Sequence, residues 1–351
     1  MIKIAIYGTG AFGKIFFKAL NEQIDYFIND FSQDREYKSI PICNISDIPK
    51  ETKIYISPLQ YSQEIEKKLT NLGFTNFLNF TSSVKELPNI LELISQTNYL
   101  WLVNDKAKML DINKIQKVKK FLKDQKSKDI LSDIINLRKT LDTKYYIKPE
   151  GTEYFPEDIP ILENLDSVNF IDCGAYIGDT IEELVKQNFP IGYTLSFEPD
   201  NKNFTLLQNT LESLNLKNSF VFPAGVYSKN TILSFSNNGI DSSASLDDTS
   251  SLQVNVVALD TIIYNSSPNF IKMDIEGAEK EALLGAKQTI QRYKPNLAIC
   301  LYHKPEDLWE LPLLIQEIEP SYDMYIRVHE DLCLSTVLYC MRKNNEKILM
   351  S

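Results

Sequence analysis

The chain has 351 residues, enough for two or three domains and too many for a single small module. With 43% hydrophobic and 24% charged residues it has the composition of an ordinary globular protein, which excludes disordered, collagenous and coiled-coil classes. Lys and Arg total 37 against 47 Asp and Glu, and the resulting charge of −10 opposes the phosphate neutralisation on which nucleic-acid binding rests, so no nucleic-acid partner is expected.

The N-terminal MIKIAIYG enters a strand without a signal-peptide core, and no apolar run approaches the roughly 18 residues of a membrane span, so the expectation is a cytoplasmic protein without a transmembrane segment. Ile2, Ile4 and Ile6 alternate before GTGAFG, an apolar helix follows to Leu20, and IDYFIND reads as a second strand ending at Asp30, which together make a βαβ opening. After a polar connection come the strand KIYIS, a helix with Ile65, Leu69 and Leu72 on one face, and a short apolar NFLNF. These elements define a small Rossmann-like domain over 1–82, too short for a full dinucleotide-binding dehydrogenase domain.

Residues 83–150 read as a helical connector, with one stripe at Ile112, Ile115, Val118 and Leu122 and another at Ile130, Ile134, Leu137 and Leu141. Its local excess of lysine is read as a solvated helix surface, the alternative being a face toward an anionic ligand. From 151 to 351 strands and helices alternate: VNFIDCG, a helix from Thr180, YTLSFEPD, a helix from Asn203, NSFVFPAG, a polar stretch, NFIKMD, a helix through Leu284, LAICLYH, and a helix around Leu308 to Ile318. The final strands YDMYIRVH and LSTVLYCMR are separated by only EDLC, too few residues for a parallel crossover, so the last strand is antiparallel. The fold class is therefore α/β, a class I methyltransferase Rossmann-like fold in which a parallel sheet is closed by an antiparallel C-terminal hairpin.

Ligands of open α/β sheets bind beyond the carboxyl ends of the strands. FIDCGAYIGDT puts Asp172, Gly174 and Gly178 at the first such end, and Glu198 ends the next strand, where a carboxylate is suited to accept the two hydroxyl hydrogens of a ribose. Lys272 and Asp274 are two apart at the end of NFIKMD and share a sheet face, the adjoining loop adds Glu276 and Glu279, and His303 and His329 close two later strands. His303 is the first choice of catalytic base and Asp274 the second. The favoured reading has no metal; the alternative places Mg²⁺ on Asp274, Glu276 and Asp241, whose spacing matches no standard loop. The five cysteines are scattered without a CxxC, so neither a disulfide framework nor a Cys/His zinc site is expected.

The segments FIDCGAYIGDT, FEPDNKNFTLLQNTL, VVALDTII, FIKMDIEGAEKEALLGA and LAICLYHKPEDLWELPLLI, in this order, resemble the FkbM family of S-adenosylmethionine-dependent methyltransferases across about Asp124 to Arg342. The resemblance implies S-adenosyl-L-methionine as cofactor and O-methylation of a hydroxyl on a sugar or glycan. It implies that Asp172, Gly174, Gly178 and Thr180 hold the methionine part, Glu198 the ribose, and Ala224 and Gly225 the adenine side, with Ala175, Tyr176, Asp179 and Pro199 completing the cofactor loops. Tyr176 stands where many relatives have Asn, which puts a side-chain amide contact at that position in question.

The N-terminal domain resembles the nucleotide-sugar-binding domain of some sugar acyltransferases, through YGTGAFG and the strand-end IND. Gly8, Gly10 and Gly13 would then admit a diphosphate at the helix N-terminus, with Asp30 near a ribose; the other reading is a degenerate domain for packing or for a homodimer. The expected function is O-methylation of a nucleotide sugar or a capsule or lipopolysaccharide precursor. The alternatives are a non-catalytic nucleotide-sugar-binding or scaffold protein and a nicotinamide-dependent oxidoreductase.

Overall fold

The structure is a computed structural model that describes residues 2–59, 61–97, 110–163, 165–236, 245–246, 252–263 and 266–342. Its backbone divides into two units, Met1–Lys108 with Ser132–Pro149 and Glu330–Leu334, and Met109–Leu131 with Glu150–His329 and Ser335–Ser351.

In the first unit β1 (Ile4–Tyr7), α1 (Ala11–Ala19) and β2 (Tyr26–Ile28) form the βαβ opening, with Ala5 facing Tyr26 in a parallel pair. The connection expected to be polar contains two further strands, β3 (Glu36–Tyr37) and β4 (Ile40–Cys43), which are too short for periodicity to reveal. β5 (Lys53–Ile56), α2 (Ser62–Asn71) and β6 (Phe77–Leu78) complete a sheet of order β3-β4-β2-β1-β5-β6, antiparallel only at β3. Ile65 and Leu69, four apart, bury one face of α2, but Leu72 lies beyond its last residue and is 41% exposed, which corrects the expected stripe. The helices α3 (Phe80–Glu86) and α4 (Asn89–Ser95) follow.

α5 (Ile112–Phe121) buries Ile115 and Val118 but leaves Ile112 43% exposed, because Ile112 is the first residue of the helix. On α6 (Gln125–Thr140) the buried apolar positions are Leu131, Ile134, Ile135 and Leu137, while Ile130, and Leu141 just past its end, are only half-buried. Within the second unit, Lys123 pairs with Asp323 at 3.0 Å, and Lys126 with Glu150 at 3.0 Å and Asp158 at 3.1 Å.

The second unit continues through β7 (Val168–Cys173), α7 (Asp179–Lys186), β8 (Ile191–Phe197), α8 (Asn201–Leu214) and β9 (Ser219–Phe222). β10 (Gly225–Val226), β11 (Thr231–Ser236), β12 (Ser245–Leu246) and β13 (Leu252–Val257) make a small separate sheet that the sequence pattern did not reveal, and α9 (Leu259–Ile262) follows. Asp241, one of the alternative magnesium ligands, lies outside the described residues. Then come β14 (Phe270–Met273), α10 (Glu279–Gly285), α11 (Lys287–Tyr293), β15 (Asn296–Cys300), α12 (Asp307–Ile318), β16 (Asp323–Val328) and β17 (Thr336–Met341).

The main sheet has the order β16-β17-β15-β14-β7-β8-β9, and β17 runs antiparallel between β15 and β16. The expected parallel sheet closed by an antiparallel hairpin is thus the fold found. β7 and β14 read as near-continuous apolar runs because central parallel strands are covered on both faces. Phe170 stacks on Phe270 with ring centroids 4.9 Å apart across this pair, and each such buried aromatic contributes about 1.5–3 kcal/mol through area removed from water.

Candidate active site

The site grows from the carboxyl ends of β7, β8, β14 and β15. Chain reversal after β7 rests on Gly174, whose φ of 80° is left-handed and whose added Cβ would stand 1.8 Å from the carbonyl oxygen of Asp274. Its N–H and that of Ala175 both donate to the Phe197 carbonyl oxygen, at 3.0 Å each, which ties the turn to the end of β8. Gly178, with φ of 93°, then caps α7, which carries Asp179 in its first turn and buries Thr180.

Glu198 is 6% exposed at the tip of β8. One carboxylate oxygen accepts the Tyr176 N–H at 2.9 Å and the other the Asp200 N–H at 2.8 Å, so the group is aimed by the backbone and each oxygen keeps a lone pair. Burial pushes its carboxyl above the usual range, against the pull of those two N–H groups. Tyr176 contributes this backbone donor in place of a side-chain amide, and its ring is 53% exposed. Gly225 packs near Pro199, whose Cγ would lie 4.0 Å from an added Cβ, and Ala224 is buried beside it. The residues expected to hold a nucleoside therefore converge at the ends of β7 to β9.

Asp172 is fully buried, and neither of its carboxylate oxygens has a hydrogen-bond partner among the described residues. Lys272 Nζ stands 3.2 Å away and donates to the Gly174 carbonyl oxygen at 2.6 Å. Burial raises the Asp172 carboxyl, and the lysine ammonium only partly offsets this. Lys272, which the sequence places beside Asp274 on one sheet face, is thus occupied in bracing the turn after β7.

A second cluster lies at the ends of β14 and β15. Asp274 accepts from the Tyr154 hydroxyl at 2.8 Å and the Tyr302 hydroxyl at 3.2 Å, and one of its oxygens is 3.2 Å from His303 Nε2. Burial alone would raise its carboxyl, but the His303 contact and the Lys272 charge hold it well below the usual carboxylate range. Glu279 Oε1 is 2.9 Å from His303 Nδ1, and Glu276 Oε2 is 3.6 Å from Nε2. Burial works against the charged imidazole, yet Glu279 and Asp274 raise its ionisation well above the ordinary histidine value. A ring held in the charged form is a poor proton acceptor. The carboxyl of the half-exposed Glu276 is pushed up to about 7, by the desolvation of its inner side first and then by Asp274 and Glu279, against the pull of His303.

Tyr154 and Tyr302 were missed in the sequence. Tyr154 lies in a loop without strand or helix periodicity, and Tyr302 carried only the signal of standing beside His303. His329, by contrast, spends both ring nitrogens on structure, one with the Glu150 carbonyl oxygen at 2.9 Å and one with the Tyr339 hydroxyl at 2.8 Å. In the first unit, Gly8 and Gly13 approach so closely that a Cβ on Gly13 would lie 2.2 Å from the Gly8 carbonyl oxygen, whereas Gly10 faces open space. Asp30 accepts from the Ile45 N–H at 3.0 Å, from the Tyr7 hydroxyl at 2.5 Å and from Lys68, so both of its oxygens already hold local partners.

A family model described as the methyltransferase FkbM domain matches residues 172–326. Comparison with curated proteins gives no match. Among solved structures, methyltransferase FkbM from Methylobacillus flagellatus KT is similar with a TM-score of 0.62 and 25% identity, over 96% of this chain and 89% of that one. An rRNA methylase from Streptococcus thermophilus matches with a TM-score of 0.34 and 14% identity, over 51% of this chain and 87% of that one. The domain match falls on the strand ends that build both clusters, so residues 172–326 are similar to the methyltransferase FkbM domain.

Proposed function

We propose that the protein is an S-adenosyl-L-methionine-dependent O-methyltransferase whose acceptor is a sugar hydroxyl on a nucleotide sugar or a cell-surface glycan precursor. The observation that carries the cofactor reading is the pair of buried carboxylates at adjacent strand ends. Glu198 is fixed by two backbone donors with lone pairs to spare, and Asp172, whose Oδ1 faces the Lys272 ammonium at 3.2 Å, keeps Oδ2 without a donor. A ribose diol suits the first, and an ammonium group suits the second. The bound cofactor would supply an electrophilic methyl group.

The chain's own residues then align an acceptor oxygen and remove its proton, to which alignment contributes several kcal/mol and a positioned base roughly 10²- to 10⁴-fold in rate. Because the His303 ring is biased toward its charged form, proton removal is assigned to the Asp274–Glu276–His303 cluster as a unit. Lys272 has a positioning role. In this reading residues 151–351 form the methyltransferase domain, 83–150 the connector, and 1–82 a small domain that recruits the nucleotide part of the acceptor.

The test is calorimetry of S-adenosylmethionine and its demethylated product on the full chain and on Glu198→Ala. Loss of a charged acceptor for two hydroxyls costs about 1.5–3 kcal/mol, so affinity falls at least about tenfold. Unchanged binding in the variant removes the ribose assignment, and NADH binding at this site in place of S-adenosylmethionine overturns the methyl-transfer reading.

A further inference from the structure

The cluster at the ends of β14 and β15 has more carboxylates than a lone proton-accepting histidine requires. His303 is 7% exposed, and neither of its ring nitrogens meets a hydrogen-bond partner in proper geometry among the described residues; the same is true of Glu279 Oε2. On the Nε2 side lie Asp274 Oδ1 at 3.2 Å and Glu276 Oε2 at 3.6 Å. On the Nδ1 side lies Glu279 Oε1 at 2.9 Å.

Atoms bound to a small divalent cation at roughly 2.0–2.2 Å stand about 3.0–3.6 Å from one another in tetrahedral or octahedral arrangements, close to the Nε2 separations here. The atoms that lie within 4.8 Å of one another are those of Asp274, Glu279 and His303, while Glu276 approaches Nε2 from the exposed side at 3.6 Å. Glu279 Oε1 stands 2.9 Å behind Nδ1, the place that a tautomer-fixing carboxylate takes behind metal-binding imidazoles, although the ring is not turned for a well-aligned hydrogen bond. The chain bends to bring Glu276 there, with left-handed φ values of 54° at Glu276 and 94° at Gly277. Such angles at a non-glycine residue persist where the surroundings demand them.

We propose that His303 Nε2, Asp274 and Glu276 bind one divalent transition-metal cation, with Glu279 orienting the imidazole. One imidazole with carboxylates suits Mn²⁺ or Zn²⁺ better than Mg²⁺, and three protein ligands leave coordination positions on the half-exposed Glu276 side. Binding would displace the Nε2 proton, and an acceptor hydroxyl placed there would have its pKa lowered by the cation, in place of direct proton transfer to the three side chains. That last role rests on the O-methyl-transfer reading; the binding of the cation does not.

The test uses the full chain, stripped with a chelator that is then dialysed away, and titrated with Mn²⁺ followed by electron paramagnetic resonance, with Zn²⁺ as competitor. The expected result is one saturable site per chain, displaced by Zn²⁺ and weakened at least tenfold in Glu276→Gln and in His303→Gln. Circular dichroism checks the fold, and the half-exposed Glu276 decides the matter if the His303 variant does not fold. Absence of a saturable site for either cation, or equal binding in a folded Glu276→Gln chain, overturns the proposal and leaves an imidazolium held between carboxylates. The cofactor calorimetry on Glu198 is independent of this titration, so the two readings fail separately.

Discussion

The Tyr154 hydroxyl donates to Asp274 Oδ2 at 2.8 Å across a sequence separation of 120 residues. The tyrosine is buried in the loop before β7, and its backbone N–H is held in turn by the Tyr339 hydroxyl at 3.0 Å. A phenol with no easy route to ionisation, because burial and then the Asp274 charge raise it well above its ordinary value, is a fixed donor that aims the carboxylate.

Tyr154→Phe therefore leaves Asp274 short of one donor. Stability falls by about 1.5–3 kcal/mol, the range for a hydrogen bond to a charged group. Turnover is expected to fall more than affinity for S-adenosylmethionine, since Glu198 and Asp172, the proposed ribose and amino contacts, lie on other strands. Urea denaturation and calorimetry measure the two effects; a large loss of cofactor affinity at unchanged stability would contradict this assignment.

Gly174→Ala is expected to damage the turn after β7, the proposed cofactor turn, from inside. Its Cβ would lie 1.8 Å from the Asp274 carbonyl oxygen, in a backbone conformation that disfavours any side chain. The chain must shift both β7 and β14 to accept it. Loss of cofactor binding together with a lowered thermal midpoint is the expected outcome, and a variant with unaltered binding would show that the turn has room.

Asp30 offers a pH test in the first unit. Burial raises its carboxyl, but the Ile45 N–H, Lys68 and the Tyr7 hydroxyl together bring it below the ordinary value. A folded pKa lower than the unfolded one means that stability is present above the unfolded value of about 3.9 and is lost as pH falls through the folded value. Asp30→Asn should thus be destabilising at pH 7, and its gap from the wild-type chain should shrink as pH falls from 5 toward 2. Denaturation across that range checks the sign.

The glycine loop after β1 separates packing from ligand binding. Gly13→Ala should destabilise the chain, because its Cβ meets the Gly8 carbonyl oxygen at 2.2 Å, whereas Gly10 has nothing within 4 Å to clash with. Titration of the full chain with UDP- and GDP-sugars then tests recruitment: saturable binding lost in Gly10→Val supports a nucleotide site, and no binding assigns the loop to helix packing.

The alternation of β7 to β15 with their helices was legible because central parallel strands need continuous apolar runs, and the short EDLC linker dictated an antiparallel last strand. Strand-end position likewise exposed Glu198, Asp274 and His303, since side chains there follow directly from where an apolar run stops. The sequence could not reveal β3, β4 or the small β10–β13 sheet, whose strands are short or whose partners lie outside the main sheet's pattern. Nor could it separate His303 from His329: both end apolar strands, but Tyr339 and the Glu150 carbonyl satisfy one ring while carboxylates surround the other. Composition and periodicity act along the chain and determined the layers. The tertiary structure decided which buried polar groups are satisfied, because hydrogen-bond partners such as Tyr154 for Asp274 come from segments that no local pattern connects.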